Sequence, residues 1–235
     1  MLQPQNYPRM IGQALVLEPD PMIEMVDDDN PWVEGLFFAL LLGLAVGLAK
    51  VVGSLLLTAS LPDPTIALEA ALAAWRQAMP PGSMDWGALE EQVRRLWPLF
   101  AALTGYGGGW MRLLFLVTTP LTLILDWLVY GLLCFAAARI LGGQGSLNQT
   151  LGALALSLSP RVLLLAQVFP LVSVGSALLH VWGALIAYRG VQTAHDLPSE
   201  RAALAVLLPF VFLLVFAIGS AVVLWGFVTL VGGAP

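Results

Sequence analysis

Apolar residues fall in long unbroken runs along this chain, separated by short polar or proline-bearing stretches. Residues 33–61 form the first run, which follows Asn30-Pro31 and stops at Pro62-Asp63-Pro64. Asn followed by Pro suits a helix N-cap and first helical position. Further runs cover residues 110–141 with Pro120 inside, 147–169 with Pro160 inside, 170–189 opening on Pro170, and 202–231 with Pro209 and Gly219 inside. Each is close to the roughly 20 residues that cross about 30 Å of hydrocarbon. The pattern predicts an all-α, polytopic transmembrane helical bundle with about five spans, and therefore termini on opposite sides.

Two stretches have a helical period instead of a continuous run. In residues 65–103, Leu68, Leu72, Trp75 and Met79 recur opposite Glu69, Arg76 and Gln77. After Pro80-Pro81-Gly82, Trp86, Leu89, Val93, Leu96 and Phe100 recur opposite Glu90, Glu91, Arg94 and Arg95. Two amphipathic loop helices are expected. Tryptophan on the apolar face favours lying along the membrane surface over packing on a partner. Residues 1–32 divide into an apolar segment, Arg9 to Leu17, read as interfacial, and an acidic linker with Glu18, Asp20, Glu24 and Asp27-Asp28-Asp29. Residues 33–235 then form the membrane domain. Ala39, Gly43 and Gly47 make a small-residue ridge on the first span, where another helix can approach closely.

Composition supports the spans: 59% of the 235 residues are hydrophobic and 11% charged, against about a quarter charged in soluble domains. The lipid bilayer is thus the main partner. With a net charge of −5 and only scattered basic residues, no nucleic-acid partner is expected. Cys134 is the only cysteine, so no intrachain disulfide or cysteine metal cluster can form. About 30 mostly polar residues precede the first run, unlike a secretory signal, so the first span is expected to remain in the mature protein. Arg139, Arg189 and Arg201 lie on the side of the N-terminus, which favours a cytoplasmic N-terminus and an outside C-terminus, although Arg94, Arg95 and Arg112 lie opposite.

Several short elements, in order, resemble the Yip1 domain family of five-span membrane proteins. They are Arg9-Met10-Ile11 with Ala14-Leu15 and Leu17-Glu18-Pro19, then residues 142–151 (Gly-Gly-Gln-Gly-Ser-Leu-Asn-Gln-Thr-Leu), Pro160, Trp182, residues 188–197 (Tyr-Arg-Gly-Val-Gln-Thr-Ala-His-Asp-Leu), and Arg201-Ala202. The resemblance implies a helical bundle with a cytoplasmic N-terminus and no known enzymatic activity. Eukaryotic relatives are associated with membrane traffic and small GTPases. The chain looks like the prokaryotic sort, placed in the inner membrane, and it lacks the Asp-Leu-Tyr-Gly-Pro element of eukaryotic members, so the GTPase association is not carried over.

Four ionisable residues fall inside the expected spans: Lys50, Asp126, Arg161 and His180. Each costs roughly 2.5–3.5 kcal/mol at the bilayer centre unless paired or hydrated. They are expected to form a buried-charge cluster that fixes helix register, with Asp126 paired to Lys50 or Arg161; the alternative is an ion or proton path. Ser176 and His180 are four apart, but no oriented base or oxyanion hole accompanies them. Thr104-Gly105-Tyr106-Gly107-Gly108-Gly109 resembles a potassium filter by letter without a pore helix, and is read as a hinge. Arg189, His195, Asp196 and Arg201, in a polar loop, and Trp75 and Trp86, on the loop helices, are candidate partner-docking residues. No catalytic, metal or cofactor-binding residues are expected. The expected function is that of a non-enzymatic accessory or scaffold subunit, or a membrane organiser, that binds other membrane proteins as a hetero-oligomer. The alternative is a small transporter or channel beside Lys50, Asp126, Arg161 and His180.

Overall fold

A computed structural model describes residues 4–78, 86–104, 106 and 109–231, with only the backbone described at 228, 230 and 231. Met79, the Pro80-Pro81-Gly82 turn and glycines 105, 107 and 108 lie outside the described residues. Among those described, α-helices run in the order α1 (Tyr7–Leu15), α2 (Asp20–Val26), α3 (Pro31–Ser60), α4 (Pro64–Ala78), α5 (Trp86–Thr104), α6 (Phe115–Ile140), α7 (Leu147–Ala155), α8 (Ser176–His195) and α9 (Ser199–Val231).

Among the described residues, four helical stretches are long and apolar enough to cross a membrane: Pro31–Ser60, Trp110–Ile140, Leu147–Val168 and Ser199–Phe227. The protein is a helical integral membrane protein, its backbone groups satisfied within helices where no water can reach them. The expected fourth crossing differs from its predicted form. Helix α8 starts at Ser176, six residues later than Pro170, and continues to His195. Leu171, in the preceding connection, has a left-handed φ of 67°. Arg189, Gln192, Thr193 and His195 in the last two turns of α8 dilute its apolar character.

The chain divides into two compact units. The first holds Met1–Leu40, Leu123–Pro160 and Ser176–Pro235. Its acidic stretch is not a solvated linker throughout, because α2 forms there and packs with α1 on other helices. Tyr7, Met10 and Ala14 repeat at helical spacing and are buried, as are Met22 and Met25 of α2. They pack the α1–α2 pair on α7 and α8. Trp182 Nε1 donates to the Leu15 carbonyl at 3.0 Å, and Tyr7 donates to the buried Glu34 carboxylate at 3.0 Å. Arg9 pairs with Glu24 on the exposed side at 2.9 Å. Acidic residues thus decorate a packed helical pair.

In the third span, α7 gives way to a 3-10 helix, Leu156–Val168. Pro160 supplies no backbone donor, and its ring crowds the carbonyl four residues earlier, so the tighter winding takes over. Ser157 Oγ satisfies the Leu154 carbonyl at 2.7 Å. Helix α8 crosses this point at Gly183, where a Cβ would stand 2.8 Å from the Ser157 carbonyl oxygen. Trp127 is buried and donates Nε1 to the Leu151 carbonyl at 2.9 Å.

The second unit holds Leu41–Thr122 and Arg161–Gly175. The small-residue ridge of α3 is used here: Gly43 lies against Pro120 of α6, and a Cβ at Gly47 would stand 2.6 Å from the Phe115 carbonyl oxygen. Helices α4 and α5 form a hairpin whose charged residues pair with one another on its exposed surface. Arg76 pairs with Glu90, and Arg94 pairs with both Glu69 and Glu90. Trp97 Nε1 donates to the Pro64 carbonyl at 2.9 Å. Such exposed pairs contribute little individually, but together they set the register of the hairpin. Ile66, Leu96, Leu99, Phe100 and Leu103 stay exposed.

Candidate functional site

A hydrogen-bonded polar cluster lies at one end of the first unit, where residues of α6, α7, α8 and α9 meet. Helix α6 ends with Gly142 at a φ of 93°, and Gly143 N–H returns to the Ala138 carbonyl at 2.8 Å. This left-handed termination favours glycine. Arg139 donates to the Gly143 carbonyl at 3.1 Å and Arg201 to that of Leu141 at 3.3 Å, placing cations on the negative end of α6. Ser146 then caps α7 reciprocally with Gln149.

His195 fills the space this loop encloses and is 2% exposed. Gly145 N–H donates to its Nδ1 at 3.1 Å, so the proton sits on Nε2, which faces Thr150 Oγ1 at 2.8 Å. The Thr150 hydroxyl in turn donates to the Ser146 carbonyl at 2.7 Å. The chain of bonds requires a neutral imidazole. A proton on Nδ1 would oppose the Gly145 N–H.

Burial first, and the positive charge of Arg139 second, hold the imidazole below its ordinary value near 6.5. The residue lies beyond the apolar part of α8. A base depressed in the fold binds protons more readily when unfolded, so its contribution is complete above about pH 6.5 and erodes as the pH falls toward the lower folded value. Thermal unfolding in detergent should therefore show a loss of stability between pH 7 and pH 5 that is smaller in His195→Gln.

The expected polar loop is accordingly corrected. Helix α8 runs through it, and residues 196–198 alone connect to α9. His195 is interior and is not itself a docking residue, because its ring nitrogens and faces are already occupied, Phe135 lying 6.0 Å away. Arg189, Asp196 and Arg201 are exposed at the same end. Arg189 lies over the Tyr188 ring at 5.7 Å, and Asp196 ends α8 at a φ of 51°. Trp75 is exposed and Trp86 half-buried on the α4–α5 hairpin.

The four ionisable residues expected inside the spans differ in burial. Lys50 and Arg161 are half-buried and belong to the second unit; Asp126 and His180 are exposed and belong to the first. Counting residues along a span does not give azimuth, and Asp126 is exposed where its sequence neighbour Trp127 is buried. His180 Nδ1 donates to the Ser176 backbone carbonyl at 2.7 Å, so the imidazole serves its own helix instead of activating the Ser176 hydroxyl. It borders an apolar groove of about 620 Å³ between α8 and α9.

Lys50 lines a cavity of about 250 Å³ in the second unit, with Ser54, Thr104, Phe115, Gln167 and Leu171. Its ammonium stands 6.0 Å from the centre of the Phe115 ring. Gln167 Oε1 is buried and meets no donor among the described residues. Among those residues no group of three or more histidine, cysteine, aspartate or glutamate side chains could hold a metal ion.

Glu34 and Thr150 carry polar contacts, and Gln167 a buried amide oxygen, that the sequence reading did not single out. Glu34 sits in the first turn of a span, and its buried position could have been inferred only from Tyr7 recurring on the apolar face of α1. Thr150 and the glycines before it were visible solely as part of a family-like motif.

No curated protein and no solved structure matches the chain. The family model of the Yip1 domain matches residues 14–221, from the buried face of α1 through the His195 cluster and into α9, and the chain belongs to the Yip1 domain family.

Proposed function

We propose that the protein is a non-enzymatic subunit or organiser of a membrane assembly, held in a cell membrane with its N-terminus cytoplasmic and its C-terminus outside, and docked to another membrane protein through α9. The observation that supports this reading is the bareness of α9. Only 11% of its most apolar window is buried, against 50%, 33% and 56% for the other three candidate spans. Lipid tails are as apolar as leucine, so helices associate in a bilayer through close packing, and small residues permit it. Helix α9 has such residues on its bare half: a Cβ at Gly219 or Gly226 would meet nothing within 4 Å. Phe212, Phe216 and Trp225 lie around them, 56%, 66% and 74% exposed. The exposed Arg189, Asp196 and Arg201 give the same unit a polar docking rim, and the apolar side of the α4–α5 hairpin suits the membrane surface.

Gly219→Leu tests this. The added side chain has room in the isolated chain, so thermal unfolding should change by less than about 0.5 kcal/mol, as for most surface substitutions. Mild detergent purification from the native membrane should bring down a stoichiometric membrane protein with the wild type, and this companion should be lost from Gly219→Leu. Recovery of the wild-type chain alone, or an undiminished companion with Gly219→Leu, would contradict the reading.

A further inference from the structure

The Lys50 cavity carries chemistry that the docking proposal leaves unused. Lys50 and Gln167 both line this cavity; no carboxylate is among its lining residues, and Gln167 Oε1 is buried and meets no donor among the described residues. A polar group removed from water and left unpaired is costly, and more so for a charge in lipid. The ammonium finds partial relief over the Phe115 ring, but a ring quadrupole does not neutralise it. An occupant must therefore bring an anion for Lys50 and a hydrogen-bond donor for Gln167.

The position of the cavity narrows the class. Thr104 is the last residue of α5, Phe115 the first of α6, and Phe169 to Val172 belong to the connection that follows the third span. Connections of this kind lie at headgroup depth, because exposed irregular backbone is not tolerated in the hydrocarbon. The remaining wall is apolar, with Leu57, Phe169 and Val172, and Leu171 on its rim is 84% exposed, so acyl chains can leave along the protein surface. Gly53 brings α3 directly against the Gln167 carbonyl, which holds the third span close to Lys50 and fixes the two polar groups relative to each other.

We infer that this cavity seats the headgroup of a phospholipid, with its phosphodiester on the Lys50 ammonium and its ethanolamine or glycerol donor toward Gln167. Free phosphate shares the anion but lacks the chains that follow the apolar wall. Choline headgroups share the phosphodiester but offer no N–H or O–H donor.

The experiment uses the full chain, purified and delipidated in detergent, with thermal unfolding read after adding phosphatidylethanolamine, phosphatidylglycerol, phosphatidylcholine or inorganic phosphate. Saturation of the wild type with either donor-bearing lipid should raise the midpoint by about 5 °C. Phosphatidylcholine should give a clearly smaller rise and inorganic phosphate none. Lys50→Met keeps an unbranched chain beside Phe115 and should lose the lipid-dependent rise. Should Lys50→Met fail to fold, Gln167→Leu replaces it and should abolish the preference for donor-bearing lipids over phosphatidylcholine. An equal rise in Lys50→Met, a preference unchanged in Gln167→Leu, no rise with any lipid, or an equal rise with inorganic phosphate would overturn the assignment. The readout needs no companion protein, so its failure is distinct from failure of the α9 proposal.

Discussion

Gly145→Val is expected to cost at least about 3 kcal/mol and to leave little folded protein after extraction. A Cβ at this position would collide with the Ala194 carbonyl oxygen and stand 3.0 Å from His195 Nδ1. Neither neighbour can withdraw cheaply. Ala194 is in the last turn of α8, and the imidazole is held by Gly145 N–H on one side and Thr150 on the other. The loop cannot move out either, because Ser146 immediately afterwards caps α7. Displacing it would orphan several buried polar groups at once, each worth about 1–3 kcal/mol when left unpaired. Thermal unfolding in detergent checks this, with Gly12→Ala as the control, since a Cβ there meets nothing within 4 Å. Equal midpoints for Gly145→Val and the wild type would remove the interlocked loop from the account.

Gly43→Leu should have the next largest effect, about 2–4 kcal/mol, through the crossing of α3 and α6 in the second unit. Its Cβ would collide with Pro120 Cα and stand 2.7 Å from Pro120 Cβ. A leucine that overlaps a rigid pyrrolidine ring cannot be relieved by a rotamer change on the other side. One turn along, Gly47→Leu would press on the Phe115 carbonyl and should act in the same direction. Substitutions at the two sites should be less than additive, because either one already forces α3 and α6 apart. Comparison with Gly226→Ala, which has open space around it, separates crowding from loss of glycine itself. A Gly43→Leu protein as stable as that control would show that the ridge is not an interface.

The same particulars mark what the amino-acid order reveals. Apolar runs located α3, α6, the third span and α9 because lipid solvation depends on the local average over about 20 residues. The ridge at Gly43 and Gly47 was visible since small residues four apart share one face of a helix. The end of α8 was placed too early, near Arg189, because Gly190, Gln192 and Thr193 read as loop. Val191, Ala194 and His195 are buried there by a loop about 50 residues earlier in the chain, a contact that no local window contains. Burial of α1 and α2 was missed for a related reason: Met10, Met22 and Met25 find their neighbours in α7 and α8. For the ionisable groups, residue counting gives a position along each expected span but not the face on which Asp126 or Lys50 emerges. The unfilled donor requirement of Gln167 arises only once the third span has folded beside α3.

Sided labelling of single cysteines tests most directly that these helices form a membrane-crossing bundle of the Yip1 type. Cys134 is buried and can be replaced by serine to clear the background. Cysteines introduced at Asp63 and Leu171 should react with a membrane-impermeant thiol reagent from one face of sealed vesicles, and those at Gln144 and Asp196 only from the other. Reaction of all four positions from the same face, or release of the protein from the membrane by alkaline carbonate, would contradict the account.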